Sequence, residues 1–323
     1  MSINRRQFSV ATGLLSLAPV LRAETYPSRP ITLVVPFSAG SVVDQQARVI
    51  ARVLATRLGQ PIVIDNKVGV SGSIGAEFVS RAAPDGYTLL LGTQGTQGTN
   101  SALYKTIRYD PVKDFVAVHG LSGNANVLVV NPRLGIGSVA ELVELARKNP
   151  GKLNFGSGGN GTSGHLCLEL LQTRTGTRFT HVPYKASSAA LIDLVSGNVD
   201  AMFDFVQTSA PHIRNGKLRA LAVTRGQRMP MLPEVPTMAE AGFAGVESLS
   251  WGGLFAPAKT PDHIVKRLSA EASETLRTQE VRSSLDSVGS FIIDMPHAEF
   301  QNYVGREAVK WTEVLRAGGV TLE

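Results

Sequence analysis

Two short turns carry the residue types best suited to chemistry. Phe37-Ser38-Ala39-Gly40-Ser41 follows the apolar run Ile31 to Val35 and precedes Ala47, Ile50, Ala51, Leu54 and Leu58 at helical spacing. Lys152 to Leu171, KLNFGSGGNGTSGHLCLELL, repeats the device. Small residues between a strand and a helix leave N–H groups free at the helix N-terminus, where partial positive charge gathers, so each turn favours an anion. The expectation is that the two turns face each other and share one small anionic ligand.

Rival chemistries fit less well. Gly156-Ser157-Gly158-Gly159-Asn160-Gly161 matches G-x-G-x-x-G between a strand and a helix, the dinucleotide pattern. That reading needs an acid closing a strand about twenty residues on, where the chain reads Thr180-His181-Val182-Pro183-Tyr184. Ser157 or Ser163 with His165 and Asp204 supplies the residue types of a hydrolytic triad, but no G-x-S-x-G elbow accompanies them. The histidines at 119, 165, 181, 212, 263 and 297 have no metal-ligand spacing, and Cys167 has no second cysteine, so neither a metal site nor an internal disulfide is expected. Cys167 lies among leucines and reads as a buried thiol. No cofactor is expected.

Individual polar residues carry two readings each. Asp44, three residues into the first helix, suits the helix dipole and can hold the turn, with water-mediated ligand contact as a secondary role. Asp204 ends a strand before a helix; it either caps that helix or accepts from a ligand amine or hydroxyl. Lys185 supplies cleft charge or is merely solvated, and Trp251, beside Gly252-Gly253, is a crossover residue or simply core.

The elements that must position these residues alternate strand and helix, the signature of α/β architecture with parallel sheets. Strands are expected at 31–35, 61–65, 87–91 and 115–121, with helices after Ser41 and over 73–82. The polar stretch Gly92 to Asn100 looks like low complexity, yet it follows a strand C-terminus, where α/β proteins place ligand contacts. A second series runs from the strand 127–131 through the helix 138–147, with Ser138 and Glu141 in capping-box spacing. It continues with the second glycine turn, the helix 166–176, strand 179–183, helix 186–196, strand 200–204, helix 208–215 and strand 218–224. Then come an irregular Pro-rich stretch at 225–237, a strand within 247–257, a helix opened by Thr260-Pro261 as cap and first residue, and a last helix from Pro296 to Ala317. Passages near 122–127 and 246–252 would take the chain into a second lobe and back, making a hinged clamp. Lobe 1 is then 24–125 plus 247–323, and lobe 2 is 126–246.

Bulk properties agree. The 323 residues are 43% hydrophobic and 18% charged, a globular composition. Residues 1–23 hold Arg5, Arg6 and Arg22 and no acid, with Arg5-Arg6-Gln7-Phe8 as a twin-arginine pattern and an apolar segment too short to span a bilayer. They read as an export signal cleaved after Ala23. Its removal leaves 29 basic against 26 acidic side chains, scattered, which argues against nucleic-acid binding.

Taken together, YPSRPITLVVPFSAGSVVD, DNKVGVSGSIGAEFV, PDGYTLLLGT, NFGSGGNGTSGHL, HVPYKASSAALIDLVSGNVDAMFD, GKLRALAVT, WGGLFAPAKTP and EVRSSLDSVG resemble, in order, the Bug family, the periplasmic solute-binding proteins of the tripartite tricarboxylate transporter system. The resemblance implies a two-lobed, type II (Venus flytrap) periplasmic-binding-protein fold with two interlobe crossovers, a monomer in the periplasm and no catalysis. It implies a small carboxylate as ligand, an amino acid, di- or tricarboxylate or aromatic acid, and membrane permease subunits as partners. A sensor input docking on a membrane receptor is the alternative, with an exported hydrolase behind it. Carried over by position, Phe37, Ser38, Ala39 and Ser41 with Asp44, and Ser157, Gly158, Asn160, Gly161, Thr162 and Ser163, pinch the ligand carboxylate. Thr93, Gln94 and Asn100, within the segment 93–100, and Asp204 meet its distal end. This chain departs from the family pattern at Gly40-Ser41 (usually Gly-Gly), Ala186 (usually Gly) and Ser101 (usually Pro), so the distal group is the open question.

Overall fold

The structure, a computed structural model, describes residues 26–321; the expected export signal at 1–23 lies outside the described residues. The chain runs β1 (Ile31–Val35), α1 (Val42–Leu58), β2 (Ile62–Asn66), α2 (Ser73–Ser80), β3 (Thr88–Thr93), a π-helical turn (Gly95–Thr99), α3 (Asn100–Leu103) and β4 (Phe115–Val130). It continues through α4 (Val139–Lys148), β5 (Asn154–Ser157), α5 (Ser163–Thr175), β6 (Thr180–Pro183), α6 (Ser187–Ser196), β7 (Ala201–Phe205), α7 (Val206–Arg214) and β8 (Arg219–Val223). The remainder is β9 (Leu249–Pro257), α8 (Asp262–Leu276), α9 (Gln279–Ser287), β10 (Phe291–Met295) and α10 (His297–Gly318).

The strands form one sheet in the order β2-β1-β3-β9-β4-β7-β5-β6, with β10 and β8 also paired to β4. The β2-β1-β3 and β7-β5-β6 sets are parallel, and helices cover them. β1 shows why its run is uniformly apolar: Ile31, Leu33 and Val35 point into one core cluster and Val34 into another on the opposite face. The predicted stripe of α1, Ala47 to Leu58, is buried in the first of these clusters, and Gly59 ends the helix at φ 70°.

Two strands join the halves of the sheet. The separate strands expected at 115–121 and 127–131 are one 16-residue strand. Its first part pairs antiparallel with β9, from Phe115 opposite Pro257 to Ala125 opposite Leu249, and its end from Asn126 pairs with β7. Ser122, Gly123 and Asn124 look like a strand break in sequence, but pairing on both sides holds them extended. Helix α10 also bridges: Phe300 and Val304 pack in the cluster beneath β9, and Trp311, Val314 and Leu315 in the cluster of the β5–β7 half.

Several local expectations shift. Gly92 to Asn100, which looks like low complexity, runs from the end of β3 through the π-helical turn into α3, a geometry often found at functional sites. α5 begins at Ser163, three residues earlier than its apolar pattern suggests, because the helix starts within the polar turn. Thr260 does not cap α8; its hydroxyl donates to the Pro257 carbonyl, and Pro261 flanks the helix. In α4 the Ser138 hydroxyl accepts from Glu141 N–H as the capping box requires, but the Glu141 carboxylate accepts from Gly137, one residue further back.

Candidate functional site

Where the two halves meet, a cavity of about 370 Å³ opens between the first turn, the π-helical turn and the second turn. Phe37 and Val43 come from the β1–α1 junction, and Ser71, Thr93, Gln94, Asn100 and Tyr104 from the same half. Asn160, Gly161, Thr162, Ser163, Ser187 and Phe205 face them from the other half. The wall is completed by Gly95, Thr99, Leu103, Leu166 and Ser250, and holds no carboxylate, amine, guanidinium or imidazole.

The first turn is held from below. Asp44 is buried and accepts from Gly40 N–H at 2.8 Å, Asn66 Nδ2 at 2.9 Å and Arg48 Nε at 2.9 Å. The Arg48 hydrogen bond, aided by Asn66 and Gly40 against the cost of burial, holds the carboxyl at about 2. Ser41 Oγ in turn accepts from Asp44 N–H, so the clip closes on itself. Asp44 is thus the brace of the turn rather than part of the cavity wall. Ser38, Ala39 and Ser41 also lie off the wall, with Ser38 and Ala39 exposed beside it. Among the described residues no acceptor takes the N–H of Val42 or Val43, the free donors expected at a helix start.

The second turn is built on buried side chains. Ser157 is fully buried; its Oγ lies 2.6 Å from His181 Nε2 and accepts from Gly159 N–H, so it does not reach the cavity. Gly158 also lies off the wall. A Cβ there would sit 2.9 Å from the Ser187 nitrogen, so the glycine is needed for close packing on α6. Gly161, with φ 77°, lines the cavity, but its N–H donates to His165 Nδ1 at 3.0 Å. Thr162 Oγ1 donates to the Gly159 carbonyl, and Ser163 Oγ to Asn126 Oδ1. Among the described residues the amides of Ser163, Gly164 and His165 have no acceptor, which leaves the α5 N-terminus with open donors.

Asp204 does not meet the cavity. Its Oδ2 accepts from Thr208 Oγ1 at 2.5 Å and Ser209 Oγ at 2.8 Å, and burial pushes its pKa up. Phe205, its neighbour, is on the wall instead, because alternate residues of β7 point to opposite faces. The triad grouping does not form: Ser157 meets His181, not His165, and Asp204 meets hydroxyls. Cys167 is buried, with its thiol pushed up to about 12 by burial. Among the described residues no cluster of His, Cys, Asp or Glu is set to hold a metal ion. Ser71, Tyr104, Ser187 and Ser250 carried no sequence signal; each reaches the cavity only through the fold. Ser71 Oγ and Tyr104 Oη are 2.6 Å apart across the rim.

His165 and His181 stack with centroids 4.1 Å apart and planes 12° from parallel, and Glu169 Oε1 lies 3.5 Å from His165 Nε2. Burial, with His165 adding to it against Glu169, lowers His181 to about 4. An unfolded histidine takes its proton near 6.5. Between that value and 4 the unfolded chain therefore binds more protons, and stability falls as pH falls. The melting temperature is expected to drop through this window, and His181→Asn to flatten the drop; parallel curves for the two proteins would refute the assignment.

A sheet crossed by two connecting strands, with a cleft between covered halves, is the architecture of the periplasmic solute-binding proteins. The profile of the tripartite tricarboxylate transporter family receptor, TctC, matches residues 46–320. Bordetella pertussis BugT is 35% identical over 308 residues, covering 95% of this chain and 94% of its own. Two solved structures are similarly near. An R. palustris protein with adipate is 39% identical, with a TM-score of 0.71, covering 92% of this chain and 100% of its own. MatC from Rhodopseudomonas palustris with bound malate is 34% identical, with a TM-score of 0.69, covering 90% and 100%. This chain belongs to the TctC (Bug) family of solute-binding receptors. Among the described residues no helix is long and apolar enough to cross a membrane.

Proposed function

We propose that the protein captures a small carboxylate in this cleft, in the periplasm, and delivers it to the membrane subunits of a tripartite tricarboxylate-type transporter. The observation that carries the reading is the convergence of two helix N-termini, α1 and α5, on a cavity free of acidic side chains. Its volume of about 370 Å³ suits a metabolite-sized ligand. Neutral donors suffice because hydrogen bonds to a charged acceptor, shielded from water, contribute about 1.5–3 kcal/mol each. Adipate and malate in the two solved relatives support the carboxylate class. Residues 24–125 plus 247–323 and 126–246 serve as the two lobes, β4 and β9 as the hinge, and the twin-arginine segment as the export signal.

The test is a library of mono-, di- and tricarboxylates. A ligand at 100 times its dissociation constant stabilises by about 2.7 kcal/mol, which raises the melting temperature on the order of 5–10 °C. Indole emission is expected to change as well, because Trp251 of β9 and Trp311 of α10 both donate to Glu307. A folded protein that answers to no carboxylate in either assay would end this reading.

A further inference from the structure

A second, smaller hollow of about 60 Å³ adjoins the cleft beneath α1. Val43, Thr93 and Ser250 line both spaces, so the hollow opens from the cleft wall. Its floor is one face of the central strands. Ser122 of β4 stands opposite Gly252 of β9 and Asn124 opposite Ser250, while Thr93 of β3 flanks Gly252 on the other side. Gln46 of α1 closes the space from above.

The hollow exists because residue 252 has no side chain, and nothing nearby demands that. Gly252 lies outside the left-handed region, and a Cβ there would meet only ordinary contacts, the Gly92 carbonyl at 3.7 Å and Ser122 Oγ at 3.9 Å. Gly253 differs, since its Cβ would run into the Phe300 ring. A strand glycine that neither conformation nor packing requires marks a place where another group approaches closely.

The polar groups of the floor leave a defined remainder. Ser122 Oγ donates to Gln46 Oε1 at 3.3 Å, Gln46 Nε2 to Ser290 Oγ at 2.7 Å, and Ser290 Oγ to Asn124 Oδ1 at 2.9 Å. Among the described residues Asn124 Nδ2 and Ser250 Oγ then bond to nothing, and neither atom is sealed from solvent. The described wall holds no ionisable side chain.

Resting on the carboxylate reading, we infer that Gly252 keeps this hollow open for the uncharged end of the ligand, a hydroxyl-bearing tail whose carboxylate is held at the α1 and α5 N-termini. A hydroxyl both donates and accepts, so it takes a hydrogen bond from Asn124 Nδ2 and exchanges one with Ser250 Oγ. A hollow of this volume has room for about two to four waters, the size of a hydroxymethyl or hydroxyethyl group. A carboxylate in the same place would lose its hydration and find no cation. Gly252 thus sets the reach of the ligand, and Asn124 and Ser250 set its end group.

The test is calorimetric titration of the whole protein with ω-hydroxy acids of four to eight carbons, beside the unsubstituted acids and dicarboxylates of equal length. At the length that reaches the hollow, the hydroxy acid is expected to bind about tenfold tighter than its unsubstituted parent, as one net hydrogen bond allows, and tighter than the dicarboxylate. Gly252→Ala places a methyl group in the hollow without a clash. It is expected to weaken that hydroxy acid about tenfold or more, while the melting temperature of the unliganded protein holds or rises. Ser250→Ala, which keeps the hollow, is expected to bring the hydroxy acid to within about threefold of its parent. Hydroxy acids no tighter than their parents at every length, a dicarboxylate that binds tightest, unchanged affinity in Gly252→Ala, or a hydroxyl preference that survives Ser250→Ala overturns the inference. If acids of the wider library bind and no hydroxy acid does, the inference falls while carboxylate capture stands; if no acid of any class binds, both fall.

Discussion

Ser163→Asp is expected to lower the affinity for any carboxylate that stabilises the unaltered protein by at least about 100-fold, without lowering the melting temperature. Ser163 is the first residue of α5, lines the cavity, and carries one of the free amides at that helix N-terminus. An aspartate there is favoured by the helix dipole, by about 0.3–1 kcal/mol at an exposed terminus, which offsets loss of the long hydrogen bond from Ser163 Oγ to Asn126 Oδ1. The same charge faces the ligand anion: two like charges about 4 Å apart repel by about 4 kcal/mol at the effective dielectric of a protein surface. Ser163→Asn, of nearly the same size and neutral, is expected to stay within about tenfold. Titration calorimetry and thermal melts on the three proteins check this. Unchanged affinity in Ser163→Asp would mean that the anion does not sit at the α5 N-terminus.

Gly164→Val is expected to have the largest effect on stability. A Cβ at Gly164 would stand 2.6 Å from the Phe203 carbonyl oxygen, a backbone atom in β7 that cannot swing aside. The first turn of α5 would have to lift off the sheet, and overpacking of this kind costs about 3 kcal/mol or more. That corresponds to a melting temperature lower by roughly 6–12 °C. Because the displaced turn also carries the amides of the site, ligand binding is expected to be lost together with stability, whereas Ser163→Asp separates the two. A Gly164→Val protein that melts like the original would show that this contact does not constrain α5.

The pattern of residues along the chain was enough to place the two strand–turn–helix devices, the buried stripe of α1 and the buried Cys167, because each follows from local periodicity or from neighbours within a few positions. Of the residues it singled out, Phe37, Thr93, Gln94, Asn100 and Asn160 to Ser163 line the cavity. What it did not decide was direction within a turn. Ser157 turns inward to His181, Gly161 gives its N–H to His165, and Asp44 and Asp204 are consumed by Arg48, Asn66, Thr208 and Ser209. Outside helices and strands no period fixes where a side chain points, so partners far along the chain settle it.

Continuity was hidden for a similar reason. Ser122 to Asn124 breaks the apolar pattern of β4, and pairing with β9 and β10, over a hundred residues later in the chain, keeps it a single strand. The sequence by itself determined the α/β elements, the two anion-seeking turns and the family resemblance, since these rest on residue type and spacing. The tertiary structure alone decided which donors of the two turns stay free, leaving the amides at the α1 and α5 N-termini open while the Gly40 and Gly161 N–H groups are taken by Asp44 and His165. The reason is that a hydrogen-bond donor is available only when no neighbour in space has already taken it.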